Sequence, residues 1–214
     1  MDLILTKERL DYCMGIISLF ISGLALVISF LTAWFSIFHR GAIKMTRPTI
    51  IFFGSDGVSG PPKIFLRTLL FSTARNGQIV ENMFVKLHRG ESTQNFNIWV
   101  YGDKESLARG SGLFVSKEGI ACNHHFLLPR DGTTYVFLQG EYAIEVYASL
   151  LGKQEPVLLS AIQKLSLSTE FAEELNIQKS GVYFDWGPDS KSYHTHLDKN
   201  PEKSLSVFFK KGTL

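Results

Sequence analysis

Two hydrophobic patterns divide this chain of 214 residues. From Tyr12 to Phe38, 27 residues run without a charge; beyond Pro48, short apolar runs alternate with polar turns. In the first stretch the small residues Gly15, Ser18, Ser22, Ala25, Ser29, Thr32 and Ser36 follow one another at spacings of 3, 4, 3, 4, 3 and 4. Only Gly23 and Ala33 are small residues off that line, and the remaining faces are bulky and apolar. A helix of this length crosses a hydrocarbon core of about 30 Å with room to tilt. Small side chains repeating every 3.5 residues let two helices approach closely in lipid with left-handed packing. The pattern therefore predicts a transmembrane helix over 12–39 that meets copies of itself.

A cleaved leader is the obvious alternative. Leaders have an apolar run of about 7 to 15 residues and end at a small-residue cleavage site. This run is longer and closes on Trp34, Phe35, Ile37, Phe38, His39 and Arg40. Cations set the expected orientation. Lys7 and Arg9 before the helix are mixed with Asp2, Glu8 and Asp11, whereas Arg40, Lys44 and Arg47 follow it with no acid until Asp56. The excess of cations after the helix places the remainder of the chain in the cytoplasm. Cysteine usage agrees, because Cys13 lies at the membrane edge and Cys122 in the later domain, which leaves no disulfide within the soluble part. The expected organisation is a tail over 1–11, the transmembrane helix, a linker over 40–47, and one domain over 48–214.

Periodicity past the linker is that of strands. Thr49–Phe53, Ile64–Phe71, Ile79–Leu87, Phe96–Tyr101, Gly112–Val115, Thr134–Leu138, Tyr142–Leu150 and Val157–Leu167 are rich in β-branched and aromatic residues and bounded by glycine, proline or polar clusters. Tyr142, Ile144, Val146 and Ala148 fall on one face; Leu159, Ala161, Leu165 and Leu167 fall on another. The one helix expected in this domain is Ser168–Asn176, capped by Thr169. Strands without long intervening helices predict a mainly β fold with antiparallel sheets. Leu138-Gln139-Gly140-Glu141-Tyr142 resembles the tyrosine corner of immunoglobulin-like domains, and Trp99 occupies a core-strand position. The expectation is an immunoglobulin-like β-sandwich, with a small β-barrel as rival, since alternation alone does not decide closure.

Charge narrows the chemistry. The chain carries 22 Lys and Arg against 20 Asp and Glu, far from the basic footprint of a duplex-DNA binder. On a strand, His194, His196 and Asp198 would share one face as metal ligands. Without a further ligand at metal spacing, an exposed polar strand is the expected reading. Cys122-Asn123-His124-His125 brings a thiol and imidazoles together, but no glycine-rich oxyanion turn accompanies them. Phosphate-binding lysine loops, dinucleotide fingerprints and nucleophile elbows are missing from the sequence. The expectation is a binding domain, not an enzyme, with no cofactor and no metal. Cations interleaved with aromatic residues suit phosphates and bases, and Arg67, Arg75, Lys86, Arg89, His124, His125 and Arg130 are the expected ligand contacts.

Four serines and a threonine on the helix seam exceed what close packing requires, since glycine and alanine would serve. Three functions fit: self-association, a higher bundle, or a narrow wettable path lined by hydroxyls. Taken with domain order, size and the seam from Gly15 to Ser36, the architecture resembles single-pass antiphage membrane effectors, nearest in outline the channel effector of Hailong-type defence. That resemblance implies a homotetramer in a bacterial inner membrane and a role in abortive infection. It also implies a partner nucleotidyltransferase as signal source, and a single-stranded DNA oligomer that holds the channel shut. Its rivals are a non-conducting anchored adaptor that binds a protein partner and a membrane-tethered hydrolase built on His194, His196 and Asp198.

Overall fold

The computed structural model describes residues 2–38, 41–56, 60–74, 76–102, 108–110, 112–129, 131–176 and 180–199. Side chains are described within the first helix from residue 12 to 35, and not at 108, 109 or 163. Arg75 and Arg130 lie outside the described residues, as does the side chain of Ser36. Two compact units divide the chain between Gly41 and Ala42.

The first unit contains helix α1, Asp2–Phe38. It begins earlier than expected, because residues 2–11, read as a tail, continue the helix. Extension from a nucleated apolar helix adds one hydrogen bond per residue fixed, and the leucines, Lys7, Glu8 and Arg9 are good helix formers. The segment Tyr12–Phe35 has a mean hydropathy of 2.4 and no buried residue, so it is long and apolar enough to cross a membrane. An apolar segment of this length with no buried residue needs lipid or protein around it.

The second unit is mainly β. Its strands are β1 (Ile43–Met45), β2 (Ile50–Ser55), β3 (Pro62–Ser72), β4 (Gln78–Arg89), β5 (Ser92–Phe96), β6 (Ile98–Tyr101) and β7 (Ala108–Arg109). After these come β8 (Leu113–Val115), β9 (Ile120–Leu127), β10 (Gly140–Leu150), β11 (Val157–Leu167), helix α2 (Thr169–Asn176), β12 (Gly181–Gly187) and β13 (Ser192–Asp198). Among the described residues, an eight-stranded sheet runs β13-β12-β2-β3-β9-β6-β7, with β1 also on β3. A five-stranded sheet runs β11-β10-β4-β5, with β8 also on β4. Every pairing is antiparallel.

One apolar core draws on both sheets. Ile51, Phe53, Ile64, Leu66 and Phe126 meet Val85, Leu87, Tyr142, Ile144 and Val146 there. Alternation on β10 is as the sequence implies, with Tyr142, Ile144, Val146 and Ala148 buried. The tyrosine corner forms: the Tyr142 hydroxyl accepts from the Leu138 N–H at 3.0 Å and donates to the Leu138 carbonyl.

Elsewhere the structure corrects the expectations. Residues 43–45, read as linker, form β1 against Leu70–Ser72. Pro48, with no N–H, interrupts the edge between β1 and β2. Phe96 and Ile98 were expected on one strand; they belong to β5 and β6, in different sheets. Thr134–Leu138 is not a strand, although Phe137 is buried and stacks on Phe53. On β11, Ile144 pairs with Ile162 and Tyr142 with Leu165, so two residues oppose Ala143 alone. This bulge shifts the phase, leaving Ala161 exposed and Ile162 buried. The cap of α2 is Ser168, whose Oγ accepts from the Phe171 N–H at 3.2 Å. Thr169 instead donates to the Gln139 side chain.

Candidate functional site

On α1, the seam residues with described side chains lie within an arc of roughly 100° at 3.6 residues per turn. Ser22 donates to the Ser18 carbonyl at 2.8 Å, Ser29 to the Ala25 carbonyl at 2.8 Å, and Thr32 to the Ile28 carbonyl at 2.7 Å. These hydroxyl protons are satisfied four residues back along the same helix, which lowers the cost of placing them in hydrocarbon. Their oxygens retain acceptor capacity. The strip is polar, narrow and free of ionisable groups.

The expected ligand cations do not converge. Arg67 is exposed on the outer face of the eight-stranded sheet and donates to Asn123 Oδ1 at 3.3 Å. His125 shares that face, its ring 5.0 Å from Phe65. Lys86 lies on the outer face of the other sheet, its Nζ 4.8 Å from the Tyr147 ring centroid. Tyr147 in turn donates to Glu145 at 2.8 Å, and this bond is the main cause of a lowered Glu145 pKa. Arg89 donates to the Gln139 carbonyl at 3.3 Å, beside the tyrosine corner. His124 is the clearest correction. It points into the core, fully buried, and is no surface contact at all.

Its environment also bears on how Cys122 and His124 meet. Cys122 and His124 are two residues apart on β9, so they share a face, and Cys122 Sγ lies 3.3 Å from His124 Nε2. The indole N–H of Trp99 donates to His124 Nδ1 at 3.1 Å. An indole is donor only, so Nδ1 is unprotonated and the neutral ring carries its proton on Nε2, which donates to sulfur. Burial, then the neighbouring charge of His125, pulls the His124 pKa down to about 3. A ring whose Nε2 already bears a proton cannot take the thiol proton there. The arrangement is a buried polar anchor tying β6 to β9.

His194, His196 and Asp198 do lie on one face of β13. His194 Nε2 is 2.9 Å from the Ser190 hydroxyl, and His196 Nδ1 is 2.9 Å from Asp185. Among the described residues, no group of three or more His, Cys, Asp or Glu is gathered as a metal set.

Imidazoles or cations meet aromatic rings in two arrangements that the sequence did not bring together. One is a row across the outer face of the eight-stranded sheet, in register: His125, Phe65, Phe52, Tyr183 and His196. Phe52 lies over Gly54 and Gly181, where an added Cβ would come within 2.4 and 2.1 Å of its ring. The three central rings are buried, so this is a packed ladder and not an open stacking platform. The other is a cavity of about 540 Å³ at the open end between the sheets. Arg47, Lys164 and Lys191 line it with Trp186 and Tyr193. The Arg47 guanidinium carbon lies over the Trp186 ring, 3.9 Å from its centroid, and the Tyr193 hydroxyl donates to the Pro48 carbonyl at 2.8 Å. The signal for this cavity was out of reach of local pattern: its walls come from residues 47, 160–164 and 186–193.

No protein-family profile matches the chain, and no curated protein does. Among solved structures, a family 123 glycoside hydrolase from Clostridium perfringens aligns with 59% of this chain and 27% of that chain, at 9% identity and a TM-score of 0.30. The chain therefore spans about a quarter of that enzyme, and a likeness this slight carries no argument about fold or chemistry.

Proposed function

We propose that this protein is an oligomeric membrane effector whose β unit binds a nucleotide or single-stranded oligonucleotide and thereby controls a bundle of α1 helices. The observation that carries the proposal is the seam: an uncharged helical segment, Tyr12–Phe35, with no buried residue and with Ser22, Ser29 and Thr32 aligned and their protons already bonded. These three hydroxyls pack against identical faces without stranding a donor in lipid. Several copies bring rows of hydroxyl oxygens together, enough to wet a narrow path. Resemblance to single-pass antiphage effectors supplies the setting: a bacterial inner membrane, a cytoplasmic β unit, a tetramer, and a nucleotidyltransferase as signal source. In finer terms we read the paired sheets as an immunoglobulin-like sandwich. The tyrosine corner supports that reading, and two separately bonded sheets count against a closed barrel.

Reconstituted into vesicles, the protein is expected to release a trapped small dye. Ser22→Leu with Ser29→Leu should abolish release while the protein still inserts; unchanged release would defeat the pore-lining claim. A second reading is favoured by one observation. Because the Ser22, Ser29 and Thr32 protons are used within the helix, this part of the seam suits dry packing better than water, as in a non-conducting anchor that clusters the β units to recruit a protein partner. That reading gives no release from any vesicle and an oligomer all the same.

A further inference from the structure

The inter-sheet cavity combines features that point to one ligand chemistry. Its lining contains three cations and, among the described residues, no acid. Asp189 belongs to the same turn as Lys191 but does not line the cavity. The volume falls within the ~300–1,000 Å³ typical of small-molecule sites. The Arg47 guanidinium carbon sits over the Trp186 ring at 3.9 Å from its centroid, and a guanidinium is the side chain whose fork of N–H donors matches phosphate oxygens. The hydroxyl side chains of Ser160 and Ser192 also line the space.

Backbone strain adds a second, independent observation. Among the described residues, the two non-glycine positions with positive φ are Lys164 at 65° and Lys191 at 51°, and both line this cavity. Long side chains are disfavoured in that region, where glycine or asparagine is the ordinary occupant. Lys164 sits in the β11 bulge opposite Ala143, and Lys191 closes the β12–β13 turn. Bulges and turns of this kind re-aim a side chain. Strain that persists at two sites facing one cavity is the pattern expected where the side chain serves a ligand.

We infer that this cavity is a phosphate-ester site, held by Arg47, Lys164 and Lys191, and that it is where the β unit reads its ligand. The inference rests on the reading of that unit as ligand-controlled, and is independent of whether α1 conducts. A phosphate ester has two available sources, a nucleotide or oligonucleotide and the headgroup of an anionic lipid, and the test separates them.

The full-length protein in neutral nanodiscs is titrated with thymidine monophosphate and a short oligothymidylate, and separately with phosphatidylglycerol vesicles. Arg47→Ala, Lys164→Gly and Lys191→Gly are measured beside the parent. Each is expected to weaken binding by about ten-fold, the loss of one charge-assisted hydrogen bond. The two glycine variants should melt no lower than the parent, since they relieve the left-handed backbone while removing the cation. Weakened binding at undiminished stability separates ligand recognition from a structural role. Binding of vesicles alone, lost in the same variants, would uphold the phosphate site but overturn nucleotide control. Failure of every probe to bind the parent, or equal binding by all three variants, would overturn the site itself, whatever the dye-release result.

Discussion

The hydroxyls of α1 and those of the β unit solve the same problem by opposite means. Ser22, Ser29 and Thr32 reach carbonyls four residues away. Thr46 and Thr68 instead bond one another at 3.2 Å across 22 residues, Thr68 donating to the Thr46 carbonyl and Thr46 Oγ1 accepting from the Leu69 N–H. Local satisfaction leaves these three hydroxyls with no need of a partner for their protons. Distant satisfaction of this kind makes the β unit cooperative, because the Thr46–Thr68 bonds exist only when strands far apart in sequence have met. On the proposed function the helix is joined from outside, whereas the β unit closes on its own core.

That contrast is tested most severely where the β unit has least room. Gly181→Ala places a Cβ against the buried Phe52 ring and should cost about 3 kcal/mol in denaturant unfolding; a cost near zero would show that the aromatic ladder is loose. Acid comes next. His124 has a folded-state value of about 3 against 6.5 for the free group. Above about pH 6.5 both states are neutral and nothing is lost. As pH falls below that, the unfolded chain takes up a proton that the fold refuses, so stability falls until about pH 3. At pH 5 the loss is about 2 kcal/mol, and His124→Gln should remove that slope. Smaller still, Tyr142→Phe strands the Leu138 N–H and carbonyl and should cost about 1–2 kcal/mol. At the far end, Ser29→Ala should change the helicity of α1 in detergent by less than about 0.5 kcal/mol in stability, because its proton served only the neighbouring turn. A large loss there would erase the distinction between the two regions.

Legibility in the sequence follows the same division. The apolar helix and most strands of the β unit were readable because each is a local pattern of composition or period. Tyr142 was readable too, since its partner is four residues away. What escaped depends on distance. Nothing local marks Ile120–Leu127 as the strand that would carry a buried histidine to Trp99, 25 residues back. Ala161 was misplaced because a bulge, which leaves no periodic trace, turns the face over. Interleaved cations and rings were a fair cue for ligand chemistry, yet they scattered over two sheets. The cavity with the better geometry draws Arg47, Lys164 and Lys191 from three separate stretches.

The central claim is that copies of α1 meet along the seam. Its direct test is cross-linking in native membranes, with Cys13 and Cys122 replaced by serine and single cysteines introduced by Ser29→Cys or Leu31→Cys. Positions 29 and 31 fall on opposite sides of the helix, about 200° apart. Efficient disulfide formation at 29 and little at 31 is the predicted result. Equal cross-linking at both, or preference for 31, would contradict the account.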